Sequence, residues 1–154
     1  MTKYELLTEE AYKSGLSIKE KPLQGHDGRI YKCRIAIRRD IETNTEKTCV
    51  LAEELGHYYT TTGDILDQSD TMNRKQEYRA RLWGYNRLIG LMGIINAYIH
   101  GCQTLYEMAA YLDVTEEYLR EAIFCYRNKY GVYKKIDNYV VYFEPCFKVC
   151  EILD

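Results

Sequence analysis

Apolar and polar positions along the first third of the chain follow two different periods. Residues 3–14 carry apolar side chains at helical spacing and are predicted as a helix that ends near Gly15. Residues 29–38 alternate between apolar and polar side chains, which predicts a single half-buried strand. Together with residues 17–21, and with a turn at residues 26–28, this strand predicts a small antiparallel sheet.

The middle of the chain is predicted as two helices joined by a polar loop. Thr43 followed by Glu46 has the spacing of a capping box, so a central helix should begin there. Residues 73–91 have helical periodicity, and residues 63–70 between the helices are polar. Gly56 lies inside the central helix, where it fits a close helix crossing, space cleared beside a functional side chain, or both.

The last third of the chain predicts a helix-turn-helix followed by a hairpin. Residues 108–119 have the helix-turn-helix spacing, with Thr115 as the cap of the second helix. The tyrosine-rich residues 130–142 turn at Asp137 and Asn138 and resemble a wing. Residues 144–153 are expected to form a short closing helix with Cys146, Phe147, Cys150 and Leu153 towards the core.

The composition and net charge of the chain limit the classes of protein to which it can belong. The 154 residues are 46% hydrophobic, enough for one compact domain or two small lobes, and the net charge of −2 gives no electrostatic reason to expect nucleic-acid binding. No segment approaches the roughly 20 apolar residues of a membrane span, and the first ten residues lack signal-peptide features. The six scattered cysteines are therefore expected to be buried free thiols in a cytoplasmic protein.

The candidate chemistry lies on the central helix. Glu53 and His57 are four residues apart and share one face, with Glu54 beside them. No Lys or Arg occurs between Thr48 and Thr62, so these acids need a positive partner from elsewhere, either an arginine or a bound cation. A solvated helix face or an internal ion pair would also account for the pattern.

The spacing is that of the H-E-x-x-H zinc motif, with a carboxylate at the first ligand position. A third ligand is suggested by Glu77, Ala80 and Gly84, which form a stripe where another helix can pack closely. If that partner is the central helix, Glu77 reaches His57. Two alternatives stay open: Glu77 is a surface acid among basic residues, or Arg79 or Arg81 is the counter-ion of a purely structural cluster.

An ordered set of segments resembles the ImmA/IrrE family of metallo-endopeptidases. The set is Arg34-Ile35-Ala36-Ile37-Arg38, then residues 51–60, then Glu77-x-x-Ala80-x-x-Trp83-Gly84, and the likeness covers residues 30–90. The chain departs from the family at Glu53, where members usually have His, and at Arg79, where many have a second acid.

The resemblance implies an α+β fold with a mostly helical, zincin-like peptidase domain at residues 1–100. A helix-turn-helix region would follow at residues 101–154. Family members occur in phages and mobile elements, where they cleave a repressor, and in stress regulators. When the functional positions of the family are transferred to this sequence, the resemblance implies that Glu53, His57 and Glu77 are the metal ligands. It also implies that Glu54 is the catalytic base.

The expected cofactor is Zn²⁺, with Mn²⁺ or no ion as alternatives, because a second carboxylate ligand lowers the charge of the centre. Tyr58 and Tyr59 are candidate donors to a developing oxyanion. The expected partner is a protein substrate, a helix-turn-helix repressor. The competing hypothesis is a weakened peptidase-like module that binds such a partner without cutting it. Direct DNA binding is not expected, because acids at Glu116, Glu117 and Glu121 would repel phosphate.

Overall fold

The computed structural model describes residues 1–61 and 70–153, with the backbone alone at residues 70–72. The predicted polar loop at residues 63–70 lies outside the described residues except for Asp70, which begins a helix. The chain divides into two compact units, residues 1–87 and 88–154. The predicted boundary after residue 100 differs from this division because helix α4 (Gly90–His100) packs with elements of the second unit.

The first unit combines three helices with a three-stranded sheet. The helices are α1 (Lys3–Lys13), α2 (Asn44–Thr60) and α3 (Asp70–Leu88, whose last residue falls in the second unit), and the strands are β1 (Ser17–Lys21), β2 (Gly28–Tyr31) and β3 (Arg34–Arg38). The strand order is β1-β3-β2, with β1 and β3 parallel and β2 antiparallel to β3. Strand β2 therefore lies at an edge of the sheet.

The prediction of one strand over residues 29–38 in an antiparallel sheet is wrong. A two-residue turn at Lys32 and Cys33 folds this stretch into a hairpin, with Lys32 at a φ of 53°. The turn lacks the Asn-Gly or Asp-Gly pair that usually marks such hairpins, and the alternation of apolar residues continues through it. The hairpin inserts β3 between β1 and β2, and β3 then runs parallel to β1.

Helix α2 is held against α1 and the sheet by its apolar face. Thr43 caps the helix by accepting a hydrogen bond from the backbone N–H of Glu46, as the capping signal indicated. Leu51 and Leu55 are buried, and the helix contacts α1, β2 and β3. Each leucine contributes roughly 1.5–3 kcal/mol through burial. Glu53 and His57 lie on the opposite face, and Glu54 lies between that face and the apolar one.

The second unit contains the helix pair and the hairpin that the sequence predicted. Helices α5 (Leu105–Leu112) and α6 (Glu116–Tyr130) follow α4, and the side chain of Thr115 caps α6. Strands β4 (Tyr133–Ile136) and β5 (Tyr139–Tyr142) form the antiparallel hairpin. Its turn places Asp137 at a φ of 52°.

The prediction of a closing helix over residues 144–153 is wrong. Residues Lys148–Glu151 form strand β6, which pairs antiparallel with β5. Pro145 would lie in the first turn of such a helix, where proline is tolerated, so local sequence does not exclude the helix. Pairing with the free backbone groups along the edge of β5 instead makes residues 148–151 a strand. Leu153, which was expected in the core, is 83% exposed.

All six cysteines are free thiols, as predicted, but the expectation that they are buried is wrong for most of them, since only Cys49 and Cys125 are buried. In the described parts of the chain, no single helix has both the length and the apolar composition to cross a membrane. Two helical segments with a bend between them, Asn73–His100 and Leu105–Leu112, together meet the length and composition criteria and no further one.

Candidate metal centre

The close crossing of α2 and α3 is set by Gly56. A Cβ atom built on Gly56 would lie 2.1 Å from the carbonyl oxygen of Ala80, so no larger side chain fits unless the helices separate. Ala80 is itself fully buried. The glycine in α2 and the small residue in α3 therefore meet each other, and their contact decides which neighbouring side chains face one another.

Two side-chain pairs span the crossing on one side of it. Oε1 of Glu77 lies 3.6 Å from Nε2 of His57, and Nε of Arg81 lies 3.8 Å from Oε1 of Glu53. Residue 57 thus pairs with residue 77, and residue 53 pairs with residue 81. Because the order is reversed between the helices, α2 and α3 run antiparallel at this point and place four polar side chains in one cluster.

Three members of the cluster could hold a metal ion. One oxygen of Glu53, one nitrogen of His57 and one oxygen of Glu77 all lie within 4.8 Å of one another. Ligand atoms around a tetrahedral zinc ion are about 3.3 Å apart, since each bond is about 2.0–2.1 Å long. The Glu53 and Glu77 side chains are 43% and 50% exposed, so ligand distances in this range would require rotamer changes of these two carboxylates. Two carboxylates and an imidazole fit Zn²⁺ or Mn²⁺.

Glu54 lies next to this group but in a more enclosed place. Burial raises the pKa of its carboxyl group above the ordinary value. His57 opposes that shift, and the negative charges of Glu53 and Glu77 add to it. A carboxylate with a raised pKa is a stronger proton acceptor near neutral pH than an ordinary glutamate.

Edge strand β2 passes close to Glu54 at Gly28. A Cβ atom on Gly28 would lie 2.8 Å from Cγ1 of Val50 and 3.1 Å from Cγ of Glu54. The bare backbone of Gly28 therefore lets the sheet edge approach the acidic face of α2. Sequence reasoning placed Gly28 only in a turn, and no pattern in the sequence links it to α2.

The expected positive partner of the acids is Arg81. Its guanidinium lies 3.8 Å from Glu53. Arg81 and Arg79 are both exposed, and the Arg81 side chain is 58% exposed, so solvent weakens the ion pair. Glu77 is half-exposed, yet its carboxylate still reaches His57. The structure therefore contains both elements that the sequence left as alternatives: a convergent ligand set and an arginine beside it.

The two tyrosines after His57 have different surroundings. The Tyr59 hydroxyl donates a hydrogen bond to Oγ of Ser14 at 2.9 Å, and its ring stacks on Trp83 with centroids 5.0 Å apart. These contacts fix Tyr59 against α1, so the arrangement does not support it as an oxyanion donor. Tyr58 is 36% exposed and makes an edge contact with Tyr59.

No protein family, curated protein or solved structure that was compared matches this chain. The likeness to ImmA/IrrE peptidases consequently rests on the residues of this sequence, and it enters only the proposal that follows.

Proposed function

We propose that the protein is a metal-dependent endopeptidase. The observation that carries this proposal is the convergence of Glu53, His57 and Glu77 from two helices to within 4.8 Å. In this proposal the first unit is a zincin-like peptidase domain, and α5 and α6 form a helix-turn-helix region. The protein acts in the cytoplasm, and its substrate is a helix-turn-helix repressor.

Each residue of the cluster has a separate task in the proposed reaction. Glu53, His57 and Glu77 would hold Zn²⁺ or Mn²⁺, which lowers the pKa of a water molecule and polarises a peptide carbonyl. Glu54 accepts the proton of the attacking water and delivers it to the leaving amine. The raised pKa of Glu54 favours both proton transfers, the one from water to its carboxylate and the one from its carboxyl group to the amine.

The edge of the sheet supplies a place for the substrate. Among the described residues, β2 pairs with β3 alone, and an extended peptide would pair with its other edge as a further strand. Gly28 brings this edge against Glu54. A peptide bond held along β2 would therefore lie near the proton acceptor.

The proposal is tested by peptide-bond cleavage across many sequences at once. Purified protein is incubated with Mn²⁺ or Zn²⁺ and a library of proteome-derived peptides, and new N-termini are identified by mass spectrometry. We expect cleavage that needs both the metal and Glu54, with Glu54→Gln reducing it by at least about 100-fold. Glu42→Gln, at an exposed position, serves as the matched control. New N-termini that are equally abundant with Glu54→Gln, or entirely absent, would contradict the proposal.

One observation favours a second candidate function, a peptidase-like module that binds a partner without cutting it. The Arg81 guanidinium already neutralises part of the charge of Glu53. In that case peptides from the same library would be retained equally by the unaltered protein and by Glu54→Gln, and none would be shortened.

A further inference from the structure

We propose that Arg81 is a charge-compensating residue of the candidate metal centre, and that its pairing with Glu53 sets the affinity of the centre for divalent cations. This inference rests on the proposed function, because it concerns the same ligand set. It assigns a role to a residue that is not itself a ligand. Arg81 acts through Glu53 and is therefore a positioning residue.

The position of Arg81 follows from the antiparallel crossing. Arg81 lies four residues after Glu77 on α3, and Glu53 lies four residues before His57 on α2. With Gly56 and Ala80 in contact, both pairs lie on the same side of the crossing. The helix geometry that brings the third carboxylate to His57 therefore also brings a guanidinium to Glu53.

The charge count explains why an arginine belongs there. Two imidazoles and one carboxylate around a divalent cation leave a net charge of plus one, whereas one imidazole and two carboxylates leave none. The Arg81 guanidinium restores the plus one. Glu53 with Arg81 thus carries the same total charge as the neutral imidazole that would otherwise occupy the first ligand position.

This compensation opposes metal binding in two ways. The guanidinium competes with the cation for the same Glu53 carboxylate, and it repels a second positive charge nearby. Both groups are about half-exposed, so solvent weakens each effect. At the dielectric constant of water, two unit charges about 4 Å apart still interact enough to change an equilibrium constant about fivefold.

The experiment measures Mn²⁺ affinity by isothermal titration calorimetry for the full chain and three variants. Arg81→Gln should bind Mn²⁺ about five- to tenfold more tightly than the unaltered protein. Arg81→Lys keeps the charge and should restore the original affinity to within about twofold. Arg79→Gln removes a charge from an exposed position on the same helix and should leave the affinity unchanged. Arg81 is 58% exposed, so its replacement leaves the packing of α3 intact.

The salt dependence of Mn²⁺ affinity distinguishes an electrostatic effect of Arg81 from a steric one. The difference between Arg81→Gln and the unaltered protein should shrink between low salt and about 1 M salt, because the screening length falls from about 30 Å at 0.01 M to about 3 Å. Equal or weaker Mn²⁺ binding by Arg81→Gln would overturn this inference and leave the proposed function standing. Binding by none of the four proteins would overturn both. Binding by Arg81→Gln alone would support the role of Arg81 and contradict the proposed function, because the unaltered protein would then hold no ion.

Discussion

At the scale of single residues, Glu54 combines a chemical advantage with a cost in stability. Burial disfavours the ionised form of its carboxyl group, and the negative charges of Glu53 and Glu77 add to that effect. The resulting rise in pKa makes Glu54 a better proton acceptor near neutral pH. The same rise means that folding must accommodate a charge that would be better solvated in the unfolded chain.

Glu54→Gln should therefore raise the stability of the metal-free protein at neutral pH. A folded-state pKa above the unfolded value gives stability that is present below the ordinary glutamate pKa of about 4.3 and is lost as pH rises through the raised value. The unaltered protein and Glu54→Gln should thus be similar near pH 4 and diverge above it, with the variant more stable. Thermal unfolding between pH 4 and 8 in a chelating buffer measures the difference.

Glu42→Gln is the control for this measurement because its side chain is exposed. Its melting temperature should follow that of the unaltered protein across the pH range, with a change in stability within about 0.5 kcal/mol. A Glu54→Gln variant that is less stable than the unaltered protein at pH 7 would show that the ionised carboxylate has a favourable partner in the fold.

At the scale of elements, the crossing of α2 and α3 is the feature on which the candidate site depends. Gly56 and the run of Glu77, Ala80 and Gly84 indicated a close approach from sequence alone, and the contact between Gly56 and Ala80 confirms it. The sequence left the partner of that run as a hypothesis, and the contact with Gly56 identifies the partner as α2. The sequence could not predict which positions pair across the crossing, 57 with 77 and 53 with 81. That pairing depends on the relative direction of the two helices, which periodicity does not give.

Gly56→Ala should separate the two helices. A Cβ atom 2.1 Å from the Ala80 carbonyl forces a backbone shift, which we expect to lower the free energy of unfolding by about 1–3 kcal/mol or more. This loss should exceed the gain of about 1 kcal/mol that alanine brings to a helix interior. Chemical denaturation measures the change, and Mn²⁺ affinity should fall with it.

Gly93→Ala provides the matched control in another helix. Its Cβ would meet only a terminal methyl of Leu112, at 3.2 Å, which can move aside. Its stability should therefore change little. If Gly56→Ala were as stable as Gly93→Ala, the close crossing would be absent in solution, and the convergence of the site residues would lose its basis.

At the scale of the whole molecule, the sequence predicted the elements better than their pairing. Helices α1, α2 and α3, the capped α6 and the β4–β5 hairpin follow from periodicity and local turn signals. The Lys32–Cys33 turn and strand β6 were missed because each depends on backbone pairing with a partner strand. The approach of Gly28 to Glu54 was missed for a similar reason, since it depends on where the sheet edge meets α2.

Metal binding by the full chain tests the central claim most directly. Equilibrium dialysis of the purified protein against Mn²⁺ and Zn²⁺, with elemental analysis, measures the number of bound ions and their affinity. We compare His57→Ala and Glu77→Gln with the exposed controls His26→Ala and Glu42→Gln. Loss of a ligand should cost more than the 10- to 100-fold that is typical for loss of an outer-shell partner. The account predicts one ion per chain, lost with His57→Ala and Glu77→Gln and kept by both controls. No bound ion, or undiminished binding by His57→Ala, would contradict it.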